Sequence, residues 1–309
     1  MASEKTYAFA LPWIKRLLGI FLSAWLMFVL LRDMPLDSLS NPMRRVSTAV
    51  WIGASLGWLL SFFFRAFRLK QEWHLRGLRG FGCALQVTLI HTASSLVLPF
   101  RMGEAAYPVL MRSALNVNWI EGFRSLVWLR FQDAVVLMGL SLLCMPMLSG
   151  AIRLLIFMTG IAIFLWIRRL WRLQSAKPDW LIRLEPVFER TRWQAGWGWS
   201  VANWVIKLIS VGCLLACMLE IHMVSGFQAA LGGELMALIP LQGPASLGTY
   251  EAGVWLATSS MDLDMWRVAK AALAAHIFCL LLTLGFAVPA MGCLVLMPEK
   301  FLQPEKSRH

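Results

Sequence analysis

The stretch Pro240-Leu-Gln-Gly-Pro-Ala-Ser-Leu-Gly-Thr-Tyr-Glu251 interrupts a long apolar region. A helix running through it loses backbone hydrogen bonds at Pro240 and Pro244 and gains slack at Gly243 and Gly248. In lipid, freed backbone groups are costly unless protein or trapped water satisfies them. A carboxylate at membrane depth adds roughly 2.5–3.5 kcal/mol on insertion scales. A chain that carries both costs at one place is expected to use that place. A second stretch, Leu98-Pro-Phe-Arg-Met-Gly-Glu104, also combines proline, glycine and charge after an apolar run. The two stretches are expected to face each other.

Working outward, the chain of 309 residues is 59% hydrophobic and 15% charged, and its mean hydropathy is +0.64. Soluble domains of this size carry nearer a quarter charged residues. Several apolar runs reach the ~20 residues that cross a bilayer. The expected class is therefore an all-α polytopic membrane protein, read as a single integral membrane domain over residues 1–309. The net charge of +12 sits in short basic loops between apolar runs, the positive-inside pattern, so no nucleic-acid partner is expected. Trp13, Trp73, Trp171, Trp180, Trp193, Trp197 and Trp199 lie at run ends, as interfacial belts do. The six cysteines lie in apolar runs without a C-x-x-C and read as small core residues.

In chain order, a first helix is expected from Leu11 to Leu31, uncleaved, since no A-x-A-like site follows it. Pro35 and Pro42 should break the next loop. A second helix runs from Val46 to Phe67, with Gly53-x-x-x-Gly57 either a close-packing face or incidental. Arg65, Arg68, Lys70, Arg76 and Arg79 then form a basic, cytoplasmic loop. Phe81–Leu98 carries too many polar residues to face lipid and should be buried or line a cavity. After the Pro99–Glu104 break comes a short run to Leu115. Helices follow over Phe123–Leu148, Ile152–Trp171 and Trp197–Leu219, with a long polar loop before the last of these. Phe227–Ile239 and Ala252–Ser259 are each short of a span, and Met265–Met297 closes the chain. The sum is six full spans plus two re-entrant helical hairpins entering from opposite faces, or eight or more tilted spans, with both termini cytoplasmic. Opposed broken helices meeting near the midplane are a common way to build a transporter site.

These broken stretches carry a resemblance. Pro99-Phe-Arg101-Met-Gly103-Glu104 resembles a Pro-Gly-Arg-x-Gly-Glu element, Arg130-Phe-Gln-Asp133 an Arg-x-x-Asp element, and Pro244-Ala-Ser-Leu-Gly248-Thr-Tyr-Glu251 a Pro-Gly-Gly-x-Gly-x-x-Glu element. Together with the basic aromatic Arg65-Ala-Phe-Arg68, they are similar, in order and spacing, to the transmembrane-region family of lysylphosphatidylglycerol synthases, the flippase-like domain family. Phe100 stands for the first glycine and Ala245-Ser246 for the Gly-Gly pair; Leu129 replaces a common glutamate, and His276 a common basic residue of the last helix. The resemblance implies an inner-membrane protein that acts on or moves polar lipids. In the best-known members this region moves aminoacylated phosphatidylglycerol, and a separate soluble domain makes that lipid. The chain ends at His309 without such a domain, so it is not expected to be the synthase on its own.

The substrate-binding candidates are Arg101, Glu104 and Glu251, with Gly103 and Gly248 beside them in the two motifs. A helix restarting before Glu251 offers free N–H groups to a phosphate, and Arg101 offers a forked donor. Glu104 or Glu251 would then hold the cationic end of a head group. The alternative is that Arg101 pairs with a glutamate to hold the hairpins together, since intramembrane charges pair by default. Arg130 and Asp133, at i, i+3, read as a supporting structural pair, and Lys207 as a snorkelling or paired charge. His91 and His276 lack metal-ligand spacing and should make packing hydrogen bonds. Asp262-Leu-Asp264 reads as a helix cap rather than a metal motif. No Walker loop, H-E-x-x-H or nucleophile elbow is present, so no cofactor, metal or catalytic residue is expected, and the protein is not expected to be an enzyme. The favoured reading is a lipid translocator or lipid-binding transporter, with membrane lipids as partners. Alternatives are a noncatalytic membrane partner of a lipid-modifying enzyme, and a membrane-embedded transferase using Glu104 or Glu251 as base. The lipid, any coupling ion and a homodimer are left open.

Overall fold

The structure, a computed structural model, describes residues 36–73, 80–97, 103–144, 149–173, 196–238 and 244–296. The expected first helix, Pro99, Arg101, Pro240, Gly243 and most of the long polar loop lie outside the described residues. Among the described residues the chain is helical without a strand: α1 (Leu36–Arg44), α2 (Thr48–Trp73), α3 (Phe81–Val97), α4 (Ala106–Leu115), α5 (Trp119–Cys144), α6 (Gly150–Leu173), α7 (Trp197–Leu219), α8 (Met223–Met236), a 3-10 turn (Pro244–Ser246), α9 (Thr249–Thr258) and α10 (Met265–Leu296).

Four of these, α2, α5, α7 and the Met265–Gly292 part of α10, are long and apolar enough to cross a bilayer. By contrast α4 and α9 have 10 residues each, a rise of only ~15 Å against a hydrocarbon core of ~30 Å. They are the short second limbs expected after each break. Large apolar side chains point outward, among them Leu56, Met138, Leu155, Leu281 and Val288, each more than 60% exposed. In water such surface would be an aggregation liability; around a bundle in lipid it is solvent-compatible. The chain is a multi-pass membrane protein.

Several boundaries differ from those expected. The segment with Pro42 is not a loop but the helix α1, which contains Pro42 and ends in shorter i→i−3 bonds from Arg45 and Val46. α2 runs on to Trp73, taking Arg65, Arg68, Lys70 and Glu72 out of the expected basic loop. The reason is tertiary: Arg68 and Trp73 are buried, and the Trp73 indole N–H donates to Tyr107 and Ser125. α5 begins a turn early, where Asn118 accepts from Glu121 and Gly122. α6 extends through Leu173, taking in Arg168, Arg169 and Arg172. α3, α7 and α10 start and stop within a residue of expectation, and Asp264 Oδ2 accepts from the Arg267 N–H, as a cap does.

In lipid there is little hydrophobic force between helices, so close van der Waals approach must hold them. α7 is the hub: it packs on α2, α8, α10 and α5. Gly57 admits Ser210 and Ile206 of α7, whereas Gly53 faces open space, so only half of the G-x-x-x-G pair is used. Gly212 and Gly226 bring α7 and α8 together, and Gly232 and Gly253 do so for α8 and α9. Gly103 lies against the backbone of Ser94 and Ser95, where no Cβ fits. That contact folds the chain after the first break back onto α3. α3, the helix that precedes the first break, packs against the 3-10 turn of the second.

Candidate functional site

The 3-10 turn at residues 103–105 presents Glu104 to two neighbours. His91 Nε2, one limb back on α3, lies 3.2 Å from Oε2. Arg130 of α5 binds the carboxylate in a fork, through Nε at 3.1 Å to Oε2 and Nη2 to Oε1. A bidentate guanidinium–carboxylate pair fixes orientation as well as charge. Glu104 is therefore joined to the helix that follows its hairpin.

Asp133, 2% exposed, is one turn from Arg130, and their contact is long at 3.5 Å. Its principal partner is Arg68 of α2, at 2.5 Å and 3.4 Å. Ser200 Oγ and the Trp204 indole N–H of α7 complete the carboxylate's shell. The expected Arg130–Asp133 pair exists only as one edge of a cluster that ties α2, α5 and α7.

Lys207, near the middle of α7, is buried and does not snorkel. Its ammonium lies 2.7 Å from Glu234 of α8 and 4.8–4.9 Å from the ring centres of Trp204 and Trp58. Aromatic faces attract a cation most when it is desolvated. Glu234 drew no attention in the sequence, although it is a carboxylate inside the apolar run that precedes the second break.

Glu251 sits at the start of α9. Its Oε2 accepts from the Gly248 N–H at 2.6 Å, and Oε1 lies 2.9 Å from His276 Nδ1 of α10. At this helix start, expected to draw a phosphate, the helix's own carboxylate thus takes up one N–H, that of Gly248. The turn before it holds Ala245 (φ 53°), Ser246 (φ 58°) and Gly248 (φ +85°) in the left-handed region. Ala245 and Ser246 are the positions where the resembling motif has Gly-Gly, and glycine is the residue that takes such φ without strain.

These groups surround one cavity of about 140 Å³ between α2, α3, α5, α7, α8 and α10. Arg65, Glu104, Arg130, Lys207, Glu234 and His276 line it, with Tyr250 and the aromatic pair Trp58 and Trp204. Ser95 from the end of α3 and Ser246 from the second break border it together. A smaller cavity of about 40 Å³ adjoins it and shares Arg65, Thr92 and Arg130. Of the sequence candidates, Glu104, Arg130 and Lys207 reach the main cavity; Glu251 reaches it through His276, and Asp133 lines the smaller one. Gly103 and Gly248 shape the two turns, and Arg101 lies outside the described residues. Arg65 and Arg68, read as loop charges, point inward instead. A signal was present: at i, i+3 on a helix they share a face.

No individual curated protein matches the chain. A family model does: that of the lysylphosphatidylglycerol synthase TM region, over residues 16–287. That span includes both breaks and every cavity residue named above, and the chain belongs to the lysylphosphatidylglycerol synthase transmembrane-region family.

Proposed function

We propose that the protein takes the polar head group of a phospholipid into the cavity between the two broken segments and moves that lipid across the inner membrane, forming and breaking no covalent bond. Family membership links the chain to lipid handling in a membrane; translocation is the finer reading. The observation that carries it is a cavity lined by Arg65, Arg130, Lys207, Glu104 and Glu234 inside an otherwise apolar bundle. Burying that many charges is costly and marks ion or substrate pathways. Short limbs bordering such a cavity can rock against the long helices and expose it to either side in turn. In this reading both termini face the cytoplasm, and a lipid-modifying enzyme is the natural partner supplying the head group.

The test is reconstitution into liposomes with a head-group-labelled phospholipid and a membrane-impermeant quencher. The expected result is protein-dependent loss of leaflet asymmetry, abolished by Glu104→Ala or Glu251→Ala at normal protein abundance. Equal rates with and without protein would refute translocation. Loss of abundance in both variants would instead place these carboxylates in the scaffold.

A further inference from the structure

Among the described residues, the charges of the cavity do not balance. Three Arg/Lys side chains (Arg65, Arg130, Lys207) and two carboxylates (Glu104, Glu234) line it. Arg130 is paired with Glu104 and Lys207 with Glu234. The nearby Arg68 is paired with Asp133, and the fourth carboxylate named here, Glu251, is engaged by His276 and the Gly248 N–H. Arg65 is left over. Its one bond among the described residues is from Nη1 to the Thr92 hydroxyl, 3.2 Å. A guanidinium has five N–H donors in a planar fork, and an uncompensated charge in a bundle interior is expensive. A second orphan lines the same cavity: Ser95 Oγ is buried without a partner. Ser95 follows Thr92 by three residues on α3, so both hydroxyls face the same side.

We infer that Arg65, Thr92 and Ser95 form an anion subsite for the phosphate of a lipid phosphodiester. The fork of Arg65 suits two oxygens of a phosphate bidentately, and Ser95 supplies a neutral donor to the same group. The Thr92 hydroxyl donates to the Thr88 carbonyl and accepts from Arg65, so it orients the guanidinium. The cavity, at about 140 Å³, has room for a phosphate together with several waters. The α9 start is less suited to an anion than this subsite, because Glu251 takes up the Gly248 N–H there and sets a carboxylate beside it. The inference rests on the lipid reading above for the source of the anion, not for the site itself.

The experiment is native mass spectrometry of the purified full chain, titrated with dioleoylphosphatidylglycerol, with dioleoylglycerol lacking the phosphate, or with inorganic phosphate. The wild type should prefer phosphatidylglycerol to dioleoylglycerol. Arg65→Gln should weaken phosphatidylglycerol binding about 10- to 100-fold, as loss of a charged hydrogen-bonding group does, and leave dioleoylglycerol binding unchanged. Arg65→Lys should fall between, and Ser95→Ala should cost about threefold to tenfold. Equal phosphatidylglycerol affinity in wild type and Arg65→Gln overturns the subsite. If Arg65→Gln does not fold, unchanged affinity in both Arg65→Lys and Ser95→Ala overturns it. Inorganic phosphate binding as tightly as the lipid, in an Arg65-dependent way, overturns the lipid source. The two readings fail separately: Arg65-dependent binding without lipid movement refutes translocation and keeps the subsite, whereas an Arg65→Gln protein that binds and moves lipid like the wild type does the reverse.

Discussion

Replacing Asp133 by asparagine tests whether the cluster behind the cavity holds the bundle together. The substitution keeps the shape and removes the charge. Asp133 and Arg68 are 2% and 6% exposed, so water does not screen the loss. Arg68 would keep its Ser200 hydroxyl contact at 3.0 Å and lose the carboxylate. Breaking a buried pair from one side costs about 3–5 kcal/mol, because it strands the other charge. The asparagine oxygen can still accept from Trp204 Nε1, now 3.0 Å from Oδ1, which points to the low end, about 3 kcal/mol, or a little over a hundredfold in the folding equilibrium. The assay is denaturant unfolding of the purified protein in detergent, followed by tryptophan fluorescence. Arg68→Met combined with Asp133→Leu should recover most of the loss, since no charge is then stranded. An exposed comparison is Glu220, 63% exposed and bridged to Arg45 and Arg267; Glu220→Gln should cost no more than about 1 kcal/mol. A change below about 1 kcal/mol in Asp133→Asn, or a double variant worse than either single one, would refute the reasoning.

Three further outcomes are expected. Gly103→Ala should prevent the first hairpin from closing and cost on the order of 3 kcal/mol, because its Cβ meets backbone of Ser94 and Ser95 that cannot yield; Gly53→Ala, facing open space, should be neutral or stabilise by up to about 1 kcal/mol, and thermal stability in detergent compares the two. Ala245→Gly and Ser246→Gly should each stabilise by up to about 1 kcal/mol, the relief of a left-handed φ less the entropy glycine loses, and a fall in melting temperature in both would contradict the turn geometry. Lys207→Met should strand Glu234 and cost about 3–5 kcal/mol, with Glu234→Gln in the same chain restoring much of it; an unfolding midpoint unmoved by Lys207→Met would mean the ammonium is not paired in the native protein.

Much of the scaffold is local information. The ~20-residue apolar runs fix the membrane class, and α7 is bounded in sequence as it is in space, because hydropathy and breakers act on neighbours along the chain. The two breaks were legible for the same reason, since proline and glycine penalise a helix wherever they stand. Asp264 caps α10 through a contact three residues away, within reach of sequence reading. The extent of α2 is not legible in this way, because Arg65 and Arg68 look like loop residues until the tertiary fold shows both facing inward.

The charge partners are different in kind. Arg68 meets Asp133 across 65 positions, and Glu251 meets His276 across 25. Lys207 and Glu234 meet across α7 and α8, helices that approach closely at Gly212 and Gly226. Each residue turns a helix face by about 100°, so which charges meet depends on the rotation and approach of whole helices, and these follow from close packing rather than from any one residue. The sequence alone determined that costly groups sit in the bilayer and roughly where the chain breaks around them. Tertiary structure decided which charges cancel and that, among the described residues, Arg65 is the cation left facing the cavity.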